Sequence, residues 1–157
     1  MKMLDLLNKE LIVTKLEVET KEELFEKLYK KLYDSGFVKE SYLEGIKKRE
    51  EKFPTGLQLN KYGAAIPHTD PKHVIAPAIV VATLAKPLSF KNMENSSKNV
   101  DVNVVFMMAL KDPHSQIDML KQLASLLQND SILEKILNAE TSDEIMEIIK
   151  NFTIIRR

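Results

Sequence analysis

The chain of 157 residues carries 23 Lys+Arg against 23 Asp+Glu, with three histidines and no cysteine. That length suits one domain over residues 1–157, large enough for a full hydrophobic core, and formal neutrality argues against a whole-molecule grip on nucleic acid or anionic membrane, which scales with the phosphates that Lys and Arg neutralise. Without cysteine there is no disulfide framework, no thiolate nucleophile and no Cys-ligated zinc or iron–sulfur site, so any nucleophile must be of another residue type.

Asp5, Lys9 and Glu10 interrupt Met1–Val13 as the core of a signal peptide. The longest apolar stretch, Val74–Ala85, contains Pro77 and falls short of the roughly 20 residues a membrane helix needs. A cytoplasmic protein without membrane insertion is expected. Leu11–Leu16 is a short β-branched run. Thr20 and Glu23 then form a capping box before an amphipathic helix with Leu24, Leu28 and Leu32 on its stripe, and Gly36 stops it. A second helix is predicted from Ser41 to Glu51, with Leu43 and Ile46 on one face and Lys47, Lys48 and Arg49 beyond. Phe53-Pro54-Thr55-Gly56 breaks that pattern. Gly63–Ile66 is a short apolar piece ending at Pro67, and Ala78–Ala85 and Val100–Leu110 are near-continuous apolar runs flanking a polar connection, Asn92–Asn99. Runs apolar on both faces predict strands covered on both sides by helices.

After Asp112-Pro113 the period becomes helical again, with Ile117, Leu120, Leu123, Ala124 and Leu127 on one stripe. Asp130 is predicted to cap a shorter helix through Leu137, and Thr141 with Glu144 opens a last one carrying Ile145, Ile148 and Ile149. The Lys/Glu-rich helix faces read as solvated and the seven methionines as core filler. The fold class expected is α/β, a single domain with a central mixed β-sheet flanked by helices on both sides.

Ala64-Ala65-Ile66-Pro67-His68-Thr69-Asp70 is the most informative segment. A histidine just after a strand lies at the sheet edge where α/β folds bind ligands, and Pro67 stiffens the backbone leading into it. Neutral imidazole can attack phosphorus to form a phosphoramidate; the competing structural reading is a histidine hydrogen-bonded at a strand end. Arg49 at the end of the second helix could offer a planar fork to phosphate oxygens and Thr55 a hydroxyl, against the plainer readings of a solvated helix arginine and a simple turn. His68, Asp70 and His73 form an H-x-D-x-x-H set that admits a metal-dependent hydrolase, although a proline-containing loop fixes no common face for them. His114 follows Pro113 just before a helix and could cap it or line a site.

Together, Arg49-Glu50, Pro54-Thr55-Gly56, Ala65-Ile66-Pro67-His68, the paired central runs and the C-terminal helices with Leu120 and Leu123 resemble the enzyme IIA component of the bacterial phosphoenolpyruvate-dependent sugar phosphotransferase system (PTS), in the fructose/mannitol superfamily. Phe53-Pro54-Thr55-Gly56-Leu57 and His68 followed by His73 are most similar to its galactitol-type branch. The resemblance implies a phosphocarrier in which His68 takes a phosphoryl group, on Nε2, from the phosphocarrier protein HPr and passes it to an enzyme IIB component, with a membrane IIC component engaged only indirectly. It implies Arg49 and Thr55 as phosphate-binding support and no metal or organic cofactor. Many relatives carry a second histidine before the apolar residue that Ile117 matches; here Gln116 stands there, with His114 two residues earlier, so either could support His68, as could His73. A regulatory relative, whose phosphorylation state controls a partner protein, is the alternative.

Overall fold

The apolar runs at the centre of the chain form the two longest strands of a five-stranded mixed sheet. In the computed structural model, which describes residues 2–155 and only the backbone of Ile154 and Ile155, β1 is Ile12–Leu16, β2 Gly56–Gln58, β3 Gly63–Ala65, β4 Ala78–Lys91 and β5 Asn99–Ala109, in the spatial order β1-β4-β5-β3-β2. The β4–β5 and β2–β3 pairs are antiparallel, whereas β1–β4 and β3–β5 are parallel.

Because successive strand side chains point to opposite faces, the unbroken apolar runs feed two cores. Val80, Ala82, Val105 and Met107 pack with α1 (Lys21–Asp34) and α2 (Tyr42–Lys52) through Leu24, Leu28, Leu32 and Ile46. Ile79, Val81, Val104 and Phe106 face the other way, onto α3 (Pro113–Leu127), α4 (Asp130–Asn138) and α5 (Ser142–Ile155) through Leu123, Leu133, Ile136, Ile145 and Ile149. The expected α/β class, with helices on both faces of a mixed sheet, is the fold observed.

Local chemistry sets most boundaries. Thr20 Oγ1 accepts from the Glu23 amide at 3.1 Å, Thr141 Oγ1 does the same for Glu144 at 3.2 Å, and Gly36 ends the α1 turn with φ 82°. Four expectations are corrected. The cap of α4 is Asn129, whose side chain accepts from the Ile132 amide, so Asp130 is the first helical residue. The buried stripe of α3 is Met119, Leu123, Leu126 and Leu127, which leaves Ile117 56% exposed and Ala124 at the surface. β4 continues past Ala85 to Lys91: between Thr83 and Leu88 its register with β5 slips, and Pro87, which has no N–H to donate, lies in that irregular stretch. Finally, β2 is a strand of three residues that begins inside the Phe53–Gly56 break.

Candidate functional site

β3 ends between β5 and β2, where its parallel pairing with β5 runs out. The chain leaving it stays pinned on both flanks, since Ile66 N–H donates to the Thr55 carbonyl (3.3 Å) and Met108 N–H donates to the Pro67 carbonyl (2.9 Å). His68 follows at once. Its Nδ1 lies 2.8 Å from the Ile66 carbonyl oxygen, and a carbonyl can only accept, so Nδ1 carries the proton and Nε2 keeps its lone pair. Burial holds the His68 pKa below the usual histidine value; the Ile66 bond opposes that shift and the Arg49 charge adds to it. The imidazole is therefore neutral, and nucleophilic at Nε2, near pH 7.

His68 lines an open cleft of about 430 Å³. Its first wall is the end of α2, with Arg49, Lys52 and Phe53, followed by Pro54 and Thr55. Its second is the loop after β4, where Met93, Glu94 and Ser96 face in, and Leu120 of α3 completes it. Arg49 is exposed and forms no ion pair with a carboxylate among the described residues; its Cζ sits 4.8 Å from the centroid of the Phe53 ring.

Beneath this wall lies a carboxylate that the solvated-face reading of α2 missed. Glu50 is only 5% exposed and accepts from both Thr55 N–H and Thr55 Oγ1, each at 2.7 Å. Burial raises its pKa; the two Thr55 bonds and the Lys21 charge oppose the shift without cancelling it. The hydroxyl expected to offer a donor to phosphate thus has its one proton on Glu50 in this structure, and Thr55 here shapes the loop rather than presenting a free donor.

The remaining candidates divide. Gln116, in the first turn of α3, donates from Nε2 to the Thr69 carbonyl at 3.2 Å, tying that helix to the residue after His68. His73 sits within hydrogen-bond distance of Ser41 Oγ (Nδ1···Oγ 2.7 Å) and packs against Gly45 of α2, while Asp70 caps the 3₁₀ turn Pro71–His73. His73 therefore docks the loop onto α2, and neither it nor His114, exposed in the first turn of α3 beside the capping Asp112, lines the cleft. Among the described residues no three or more His, Asp or Glu side chains gather as a metal site, so the H-x-D-x-x-H set stays dispersed.

The family model of the phosphoenolpyruvate-dependent sugar phosphotransferase system, EIIA 2, matches residues 5–152. The chain belongs to this family. Among PTS relatives it is 29% identical over 153 residues to the fructose-specific EIIABC component of Bacillus subtilis, a match covering 95% of this chain and 23% of that protein. The galactitol-specific EIIA component of Escherichia coli K12 is 28% identical over 102 residues, covering 65% of this chain and 67% of the relative. The transcriptional regulator ManR of Bacillus subtilis is 34% identical over 117 residues, 74% of this chain but 16% of ManR. The chain thus spans under a quarter of the length of two of these relatives. In fold it matches the mannitol IIA of Escherichia coli, solved in complex with phosphorylated IIB, with a TM-score of 0.76 and 22% identity over 92% of this chain and 97% of that one.

Beyond the sequence motifs, the structure adds the burial of Glu50 and the place of the loop at 92–98 in the site. That loop reaches the EIIA cleft through a parallel bridge between Gly56 and Asn92, in which Met93 N–H donates to the Gly56 carbonyl at 2.7 Å. The methionine read as core filler is 40% exposed at the rim. A polar stretch between two strands carries no local signal of such a contact. No helix among the described residues is long and apolar enough to cross a membrane.

Proposed function

We propose that this EIIA domain is a phosphocarrier in which His68 Nε2 accepts a phosphoryl group from phospho-HPr and passes it to an enzyme IIB component. The observation that carries this reading is the Nδ1–H bond to the Ile66 carbonyl, which fixes the tautomer with Nε2 free. In the first step the Nε2 lone pair attacks phosphorus, and the bond from phosphorus to the donor imidazole breaks as the new P–N bond forms. The His68 ring, still protonated at Nδ1, then carries positive charge, and the Ile66 carbonyl stabilises it. In the second step a nucleophile on IIB attacks the same phosphorus, and His68 departs as neutral imidazole because Nδ1 has kept its proton.

Arg49 supplies fixed positive charge and a donor fork for the transferring phosphoryl oxygens, and Gln116 holds the segment after His68 against α3. Phe53 and Met93, 53% and 40% exposed, give the site an apolar rim suited to transient docking of HPr and IIB in turn. The complex of mannitol IIA with phosphorylated IIB supports a IIB partner. The fructose- and galactitol-specific relatives support a sugar or polyol uptake system as the setting.

The test is incubation with phosphoenolpyruvate, enzyme I and HPr, which should add one acid-labile phosphate to the wild-type chain and none to His68→Ala; a normally phosphorylated variant refutes the assignment. The likeness to ManR favours one second reading, in which the phosphorylation state of His68 controls a partner protein. A phosphorylated chain that donates to no IIB component would select it.

A further inference from the structure

Arg49 and Phe53 stand one helical turn apart at the end of α2, and Phe53 N–H donates to the Arg49 carbonyl at 2.7 Å, so both side chains leave the same turn on the same side. The guanidinium lies over the ring at 4.8 Å, nearer than Lys52, whose Nζ is 5.9 Å from the same centroid. A cation–π contact of this kind spends none of the guanidinium N–H donors on a carboxylate. An ion pair would instead consume those donors and would have to break before phosphate could bind. Arg49 has no such pair among the described residues, although Glu94 stands across the cleft. Phe53, half-exposed at the rim, is free to act as its support.

We propose that Phe53 is a positioning residue: its ring face holds the Arg49 guanidinium at the His68 cleft with all its donors unspent, so that phosphate meets a pre-oriented fork. This rests on the phosphocarrier reading above. Because an exposed ring could equally serve to dock a partner protein, the experiment uses a donor too small to dock.

Purified protein is phosphorylated with phosphoramidate, in which the donor P–N bond breaks, ammonia leaves and the new bond forms at His68 Nε2; initial rates are compared for wild type, Phe53→Leu, Phe53→Tyr, Arg49→Ala and the Arg49→Ala/Phe53→Leu double variant. Phe53→Leu should slow phosphorylation roughly two- to fivefold, the population change a surface cation–π contact supports, and Phe53→Tyr, which keeps the ring face, should recover the rate. In the Arg49→Ala background Phe53→Leu should cause no further slowing, since a residue acting through Arg49 loses its effect when Arg49 is gone. A wild-type rate for Phe53→Leu, or equal slowing in both backgrounds, overturns the proposal while leaving the phosphocarrier reading intact. Wild-type protein that takes no phosphate at His68 overturns both.

Discussion

Glu50→Ala removes the acceptor of two buried donors at once. Thr55 is 2% exposed and Glu50 5%, and both Thr55 N–H and Thr55 Oγ1 end on that carboxylate at 2.7 Å. A buried donor left without a partner costs about 1–3 kcal/mol, so two set an upper range of about 2–6 kcal/mol. Two effects reduce it: the truncation also removes a carboxylate whose burial is itself unfavourable, as its raised pKa shows, and the adjoining cleft can admit water to the freed donors. The expected loss is therefore about 2–3 kcal/mol, read by urea unfolding at pH 7 as a lower midpoint with an unchanged slope. The pH dependence sharpens the test. With its folded pKa above the unfolded value of about 4.3, Glu50 contributes stability that is fully present below that value and is lost as pH rises through the folded pKa. Lowering the pH from 7 should thus widen the gap between wild type and Glu50→Ala, opposite to an ion-paired carboxylate. A variant within about 0.5 kcal/mol of wild type, or a gap that narrows on acidification, refutes the account of Glu50.

On the phosphocarrier reading, the lowered pKa of His68 predicts that its phosphorylation rate drops to half only below about pH 6.5, the pKa of a free histidine; half-maximal rate at or above pH 6.5 contradicts the desolvated, Nδ1-protonated ring. Gly45→Ala should gain about 1 kcal/mol of intrinsic helix propensity in α2 yet slow transfer, because the added methyl would stand 2.8 Å from Thr69 Oγ1 and 2.9 Å from His73 Cδ2, pushing away the loop that begins at His68. A variant that is more stable and transfers at the wild-type rate would show that this loop does not hold the ring.

Elements with strong period were legible in the chain. The long stripes and capping pairs of α1 and α5 needed only their own residues, and the two-faced apolar runs of β4 and β5 announced a covered sheet. The stiff Ile66-Pro67-His68 segment was legible for the same reason, since its conformation is set within the segment. What escaped was determined elsewhere. Nothing local distinguishes Glu50 from the solvated Glu51 beside it; its burial depends on where Thr55 returns. β2 is too short for a periodic signal and exists because β3 offers it an edge. The stripe predicted for α3 runs through Ile117, but the helix presents Met119 and Leu123 to the sheet and leaves Ile117 exposed.

The place of Glu50 bears on how the site works. Glu50 accepts from Thr55, the Thr55 carbonyl accepts from Ile66, and the Ile66 carbonyl accepts from His68, so a run of hydrogen bonds leads from the last turn of α2 to the reactive ring. Arg49, adjacent to Glu50, approaches the same ring through the cleft. One helix end thereby fixes both the tautomer-holding backbone and the cation, and holds them in register with each other. On the phosphocarrier reading, that economy suits a protein that must bind phosphate without keeping it. A deep cage of donors would stabilise phosphohistidine beyond easy transfer, whereas a neutral imidazole leaving group and one stacked arginine leave the intermediate poised to go either way.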